Sequence, residues 1–169
     1  MTHRDQDQYR QKLGSADQAA ALIRSGDTVF MGEFAQNVEA VDAALALRKN
    51  DLKDVILITT TRAKPLKCVE ADPGRQSFTW NDWHFSGLGR KYGERGLASY
   101  IPLCYHQGPQ NITLYEEPDV VIVQVAPMDV NGFFNLSTSC SMTPAYLSKA
   151  KKIVVEVNTK APRCLGGLD

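Results

Sequence analysis

An α/β fold, with an open and mostly parallel sheet flanked by helices, is predicted by three features of the chain. The first is the run 120–126, Val-Val-Ile-Val-Gln-Val-Ala, which shows no polar alternation. A strand of that kind is buried on both faces, as in a parallel sheet covered by helices. The second is the order of helix, strand, helix, strand over the first 60 residues, joined by short connections that imply right-handed βαβ units. The third is a closing helix and apolar strand at 145–157.

The elements follow in order. Residues 1–12 form a helical or frayed lead-in. Ser15 and Gln18 have the spacing of a capping box, so a helix starts there and runs through Ala19, Ala20, Leu22 and Ile23 to Gly26, a residue favoured just past a helix end. Residues 27–31 read as the first strand, and 32–36 as a loop. Asn37 is placed as the N-cap of a helix that carries Val38, Val41 and Leu45 on one face, ending near Arg48, Lys49 and Asn50. A second strand covers 55–60.

From 61 to 117 the pattern is weaker. Short strands are expected at 78–80 and 100–103, separated by the aromatic and glycine-rich run Trp83-His84-Phe85-Ser86-Gly87-Leu88-Gly89-Arg90-Lys91-Tyr92-Gly93. Beyond 120–126, Pro127 halts the ladder and Asp129-Val130-Asn131-Gly132 turns the chain. Thr143 and Pro144 supply an N-cap and a first helical residue for a helix over 145–152. A last strand covers 153–157. The final stretch from Arg163 to Asp169 neither closes a helix nor reads as a tail, and is expected to be cut from a longer chain.

With 169 residues, 43% of them hydrophobic and 22% charged, the chain suits one globular domain, 1–169. Nineteen basic and nineteen acidic side chains cancel, and no Lys/Arg run occurs, which argues against nucleic acid or an anionic membrane as partner. No apolar run approaches a bilayer span, and the polar start lacks the core of a signal peptide, so a cytoplasmic protein is expected. Cys68, Cys104, Cys140 and Cys164 lack any C-x-x-C pair and read as small buried hydrophobes, with no metal site expected.

Several constellations have a chemical reading beside a plain one. The run 32–37 occupies the first strand-to-helix crossing, where backbone N–H groups at a helix start can hold a carboxylate or phosphate; the alternative is an ordinary connection. Its carboxylate, Glu33, reads as nucleophile, base or, in the commonest case, a solvated side chain. Asp129 to Gly132 is a functional loop or simply a tight turn. His84 reads as a packed histidine before a catalyst. Arg90, Lys91 and Arg95 can meet a phosphate, or form solvated surface. The glycines at 87, 89 and 93 miss the dinucleotide-binding spacing by one residue and do not follow the first strand.

Four segments carry a family resemblance: Gly26 to Phe34; Phe78 to Gly87, reading FTWNDWHFSG; Gln124 to Asp129 with Gly132 to Asn135; and Lys151 to Asn158 with Pro162 to Gly167. Together they resemble the N-terminal half of class I coenzyme A transferases of the acetyl-CoA hydrolase/transferase branch, especially butyryl-CoA:acetate and 4-hydroxybutyrate CoA-transferases. The resemblance implies the first of two similar α/β halves, acting on an acyl-CoA and a short free carboxylate. It implies coenzyme A as substrate rather than a resident cofactor, a C-terminal half as partner, and a homo-oligomer when complete. It places the nucleophilic glutamate in the second half, where a mixed anhydride and then a glutamyl-CoA thioester form. No glutamate here matches that nucleophile's motif, so this chain alone is expected to be inactive. The cleft wall expected from this chain comprises Gly32, Glu33, Gln36, Asn37, Ser86, Gly87, Met128, Asn131, Gly132 and Asn135, with the Asn131 amide orienting the reacting group. Departures from the family pattern, Asn131 before Gly132 in place of histidine and Ser137-Thr138 in place of Gly-Pro, leave the acyl chain undetermined. So does the lack of a proline near Asn37.

Overall fold

Apolar strands without polar alternation must be covered on both faces, and the chain meets that demand with two helical layers around one sheet. The computed structural model describes residues 3–165. Among them, β1 (Thr28–Phe34), β2 (Val55–Arg62), β3 (Phe78–Asp82), β4 (Ala98–Tyr100), β5 (Val120–Val125) and β6 (Lys152–Val157) form a sheet in the order β4-β3-β2-β1-β5-β6. Every neighbouring pair is parallel. The helices are α1 (His3–Lys12), α2 (Ala16–Ala20), α3 (Glu39–Leu47), α4 (Lys67–Ala71), α5 (Gly87–Glu94), α6 (Gly108–Tyr115) and α7 (Thr143–Lys149).

The period of two along each strand divides the core. Val29, Met31, Leu57, Val120 and Ile122 pack on one face with Ile23, Val41, Leu45, Trp80 and Tyr92. Phe30, Ile58, Val121 and Val123 pack on the other with Ile112 and Tyr146. There the rings of Phe30 and Tyr146 stack at 3.9 Å between centroids. Each of these aliphatic and aromatic side chains contributes about 1.5–3 kcal/mol when fully buried. Among the described residues no helix is long and apolar enough to cross a membrane.

Strand order sets the location of the crevice. From β1 the chain steps outward through β2, β3 and β4, and then restarts on the other side of β1 with β5 and β6. Such a reversal opens a crevice beyond the carboxyl ends of the two central strands, here β1 and β5.

Several local expectations are corrected. The helix begun by the Ser15–Gln18 capping box stops at Ala20, not Gly26; Gly26 (φ +82°) instead turns the chain into β1 and donates its N–H to Lys53 O at 3.0 Å. β1 runs on to Phe34, so Gly32 and Glu33 lie in the strand and not in a loop. The strand is bulged there, with register shifts around Glu33 and left-handed backbone at Gly32 (φ +73°). A Cβ on Gly32 would stand 2.5 Å from Gln36 O, so the position requires glycine twice over. The expected strand at 100–103 is instead Ala98–Tyr100, because Pro102 has no N–H to give a ladder.

The glycine-rich run becomes α5. Its glycines permit close packing: a Cβ on Gly89 would stand 2.9 Å from the Phe85 ring, and one on Gly93 2.7 Å from it. His84 is exposed rather than packed. The cations also separate: Arg90 donates to Phe85 O, whereas Arg95 pairs with Glu70 and lies over the Tyr92 ring. Of the cysteines only Cys68 is fully buried; Cys104 is exposed, since it follows the short edge strand β4 outside either core layer. Gly166 to Asp169 lie outside the described residues.

Candidate active site

At the end of β1 the bulge turns Glu33 inward, where it is fully buried. Its carboxylate accepts from Thr143 N (3.0 Å), Thr143 Oγ1 (2.7 Å) and Met142 N (3.0 Å). Gln36 continues the network, its Nε2 donating to Ser139 O (2.5 Å) and the Thr143 hydroxyl reaching its Oε1 (3.3 Å). Ala35 N donates to Ser139 Oγ at 3.2 Å. Together these bonds fasten residues 136–143 to the carboxyl end of β1. Glu33 is therefore neither solvated nor free to attack a substrate. Thr143, expected as a local cap, spends its hydroxyl on Glu33 and is the first residue of α7.

The same device recurs at two other helices. Val38, Leu66 and Met142 stand at the N-caps of α3, α4 and α7 and none caps through its side chain. Carboxylates from elsewhere take that place. Glu156 on β6 accepts from Ala40 N (3.1 Å) and Val41 N (3.0 Å) at the start of α3. Asp42 accepts from Lys67 N (2.7 Å) and Cys68 N (3.1 Å) at the start of α4. Each anion sits where free N–H groups and the helix dipole favour it. The α3 N-terminus, read from sequence as either an anion site or an ordinary connection, is occupied by Glu156. Asn37 does not cap it; its Nδ2 donates to Ala35 O at 3.2 Å and its own carbonyl accepts from Gln124 Nε2 at 2.7 Å.

Charged groups gather at the ends of β2 and β3. Arg62 is buried, with Nη1 donating to Met31 O at 2.7 Å beside the bulge. Burial pulls its pKa down, against the opposing pull of Asp42, Cys68 and Asp82. The Asp82 carboxylate accepts from Thr59 Oγ1 (2.8 Å) and Thr61 N (2.7 Å), while Trp80 Nε1 donates to Thr59 Oγ1 at 2.8 Å. Burial raises the Asp82 pKa. Arg62 Nη2, Asp82 Oδ2 and Ser86 Oγ are buried with no hydrogen-bond partner among the described residues. Ser86 stands at the N-cap of α5 and Gly87 opens that helix.

The turn beyond β5 is an Asx turn. Asp129 Oδ1 accepts from Asn131 N (2.8 Å) and Phe133 N (2.9 Å), while Oδ2 pairs with Arg163 at 3.1 Å. Those backbone donors, Phe133 first, hold the Asp129 pKa below the usual carboxylate range. Asn131 is exposed at the tip and Gly132 adopts φ +89°. Asn135 is buried and clamps the chain leaving β6: its Nδ2 donates to Cys164 O and its Oδ1 accepts from Cys164 N, both at 3.0 Å. Met128 and Gly132 line a cleft of about 840 Å³ whose opposite wall is α1. Tyr9 of α1 meets the Phe134 ring edge-on at 5.8 Å.

All ten expected residues therefore lie at or beyond the carboxyl ends of β1, β3 and β5, on one edge of the sheet, Gly32 and Glu33 among the last residues of β1 itself. They form four groups. Gly32, Glu33, Gln36 and Asn37 make a buried buttress; Asn135 is a clamp; Met128, Asn131 and Gly132 form an accessible turn, and Ser86 with Gly87 start α5. Because β2 and β1 lie between β3 and β5, the last two groups stand about 14 Å apart at ordinary strand spacing. Arg62, Asp82, Ser139 and Glu156 escaped the sequence reading as site residues, and Thr143 figured in it only as a cap. Their only local signal was polarity at the ends of apolar strands, since their partners lie 21–116 residues away.

The profile of the acetyl-CoA hydrolase/transferase N-terminal domain matches residues 1–169. The butyryl-CoA:acetate CoA-transferase of Anaerostipes caccae is 39% identical over 164 residues, covering 96% of this chain and 37% of that protein. The succinyl-CoA:cyclohexane-1-carboxylate CoA transferase of Geobacter metallireducens is 33% identical, with 94% of this chain and 36% of its own length covered. Among solved structures, RipA from Yersinia pestis superposes with a TM-score of 0.83 at 25% identity, over 96% of this chain and 40% of that one. The chain thus spans little more than a third of the curated relatives it matches. Matched along its whole length by that profile, the chain belongs to the acetyl-CoA hydrolase/transferase N-terminal domain family.

Proposed function

We propose that this chain forms one wall of an acyl-CoA:carboxylate CoA-transferase, moving coenzyme A between butyryl-, 4-hydroxybutyryl- or acetyl-CoA and a free carboxylate such as acetate. The observation that carries this reading is convergence: Met128 to Gly132, Ser86 and Gly87 flank the β1/β5 switch point from the same edge. The nucleophilic glutamate is supplied by the remaining length of the polypeptide. Its carboxylate oxygen attacks the thioester carbonyl and expels CoA thiolate, leaving a mixed anhydride. The thiolate then attacks the glutamyl carbonyl, releasing the acyl group as a carboxylate and forming glutamyl-CoA. An incoming carboxylate reverses both steps.

In this scheme Glu33 is a structural acceptor and no candidate for the nucleophile. The exposed Asn131 side-chain amide supplies a neutral donor to the reacting carboxylate, which does not neutralise an anionic nucleophile. Coenzyme A enters as substrate.

The test is exchange of isotopically labelled acetate with butyryl-CoA. This chain alone is expected to give none, and combination with the C-terminal portion is expected to restore it. A folded, bound pair that exchanges nothing overturns the reading. Release of free CoA without an acceptor acid would mark a hydrolase instead.

A further inference from the structure

A side chain at the tip of a turn can orient a substrate only if the turn itself is held in place. The turn beyond β5 has no apolar anchor at its tip, since Val130 and Phe133 are 74% and 54% exposed. Its internal bonds run through Asp129. Oδ1 receives Asn131 N and Phe133 N, the Asp129 carbonyl receives Gly132 N (3.1 Å), and Asp129 N donates to Phe133 O (2.9 Å). Those bonds fix the shape of the turn, not its angle to the sheet. The bond from Oδ2 reaches out of the turn, to Arg163 Nη1 at 3.1 Å on the segment that leaves β6. That segment is itself braced on both sides of Arg163. Cys164 is held by both polar atoms of Asn135, and Pro162 O accepts from Ser137 Oγ at 2.8 Å.

We propose that Arg163 acts through Asp129 as a positioning residue for the Asn131 side-chain amide, latching the turn beyond β5 to the exit from β6. The inference rests on the functional reading above, in which that amide meets the reacting carboxylate. Two features favour positioning over stabilisation as the role of the pair. The Arg163 and Asp129 side chains are 37% and 17% exposed, and an ion pair open to water adds little to stability. The same contact nevertheless governs where the tip stands, and a misplacement of about 1 Å can cost about 100-fold in rate. The planar guanidinium also fixes a direction of approach, which a lysine ammonium of equal charge does not.

Steady-state exchange of labelled acetate with butyryl-CoA tests this in the polypeptide continued to the relatives' length. Arg163→Ala should lower kcat by about 10–100-fold, with KM held within about twofold and the urea midpoint unchanged. Arg163→Lys should recover part of the lost kcat. With Asn131→Ala already present, Arg163→Ala should lower kcat no further. An unchanged kcat in Arg163→Ala overturns the proposal. So does a full further loss in an Asn131→Ala background that is itself impaired, or a loss that follows a lowered urea midpoint. Amide hydrogen exchange by NMR in this chain separates the two readings. If Arg163→Ala leaves exchange at Asn131 and Phe133 unchanged, the latch fails whatever the activity. If it speeds that exchange by at least about 10-fold while Asn131→Ala transfers CoA normally, the functional reading of the turn fails alone.

Discussion

Replacing Glu33 by glutamine changes almost no volume but removes an acceptor that three donors share. In the native chain Oε1 receives Thr143 N and Thr143 Oγ1, and Oε2 receives Met142 N. A glutamine carbonyl can retain the Thr143 pair, which leaves the new NH₂ facing the Met142 N–H in a fully buried site. Two unpaired buried donors, together with the weakening of the remaining bonds once the charge is gone, cost about 2–4 kcal/mol. At this chain length that corresponds to a melting temperature lower by roughly 5–15 °C. Urea unfolding followed by circular dichroism, with the slope unchanged, measures the loss. Thr143→Val in the same background should be strongly non-additive, with a coupling of about 0.5–3 kcal/mol. If Glu33→Gln stays within about 0.5 kcal/mol of the native chain, the carboxylate is not holding α7, and its assignment as a structural group fails.

Three further outcomes are expected. Glu156→Ala removes the acceptor at Ala40 N and Val41 N, and should cost about 1–2 kcal/mol in urea unfolding; Glu39→Ala in the first turn of the same helix should cost less. Gly93→Ala forces the Phe85 ring aside and should destabilise by about 1–3 kcal/mol, whereas in a Phe85→Ala background, where the next neighbour is Ala98 O at 3.7 Å, the same change should be neutral or stabilising, as alanine normally is in a helix. Burial raises the Glu116 pKa despite hydrogen bonds from Tyr146 and Asn111. Its contribution is therefore fully present below the unfolded carboxyl pKa and is lost as pH rises through the higher folded value. Urea midpoints across mildly acidic pH should show a shallower decline in Glu116→Gln than in the native chain.

The βαβ rhythm was legible because it depends on local pattern. Unalternated Val and Ile in β5, and the face shared by Val38, Val41 and Leu45, declare burial through the residues themselves. Likewise the Ser15–Gln18 capping box is formed as its spacing predicts, because both partners lie within one turn. Helix caps at Asn37 and Thr143 were misplaced for the opposite reason. Their helices are capped by Glu156 and Glu33, more than 100 residues away in sequence, and no local pattern records such a bond. The sequence assigns no element to 83–93, since glycine is a poor helix former; Gly89 and Gly93 nevertheless lie in α5, where they let the Phe85 ring pack against the helix.

Taken by itself, the sequence determined the fold class, the carboxyl edge as the place where polar loops converge, and the family resemblance. These rest on periodicity, strand-ending residues and contiguous motifs, all of which are written along the chain. Only tertiary structure decided which of those polar residues are committed to the scaffold. Glu33, Gln36 and Asn135 are spent on holding loops, while Asn131 and the α5 start are left accessible. The physical reason is that a buried carboxylate or amide must find its partners, and which donors stand within 3 Å depends on how β1, β5 and β6 are brought side by side.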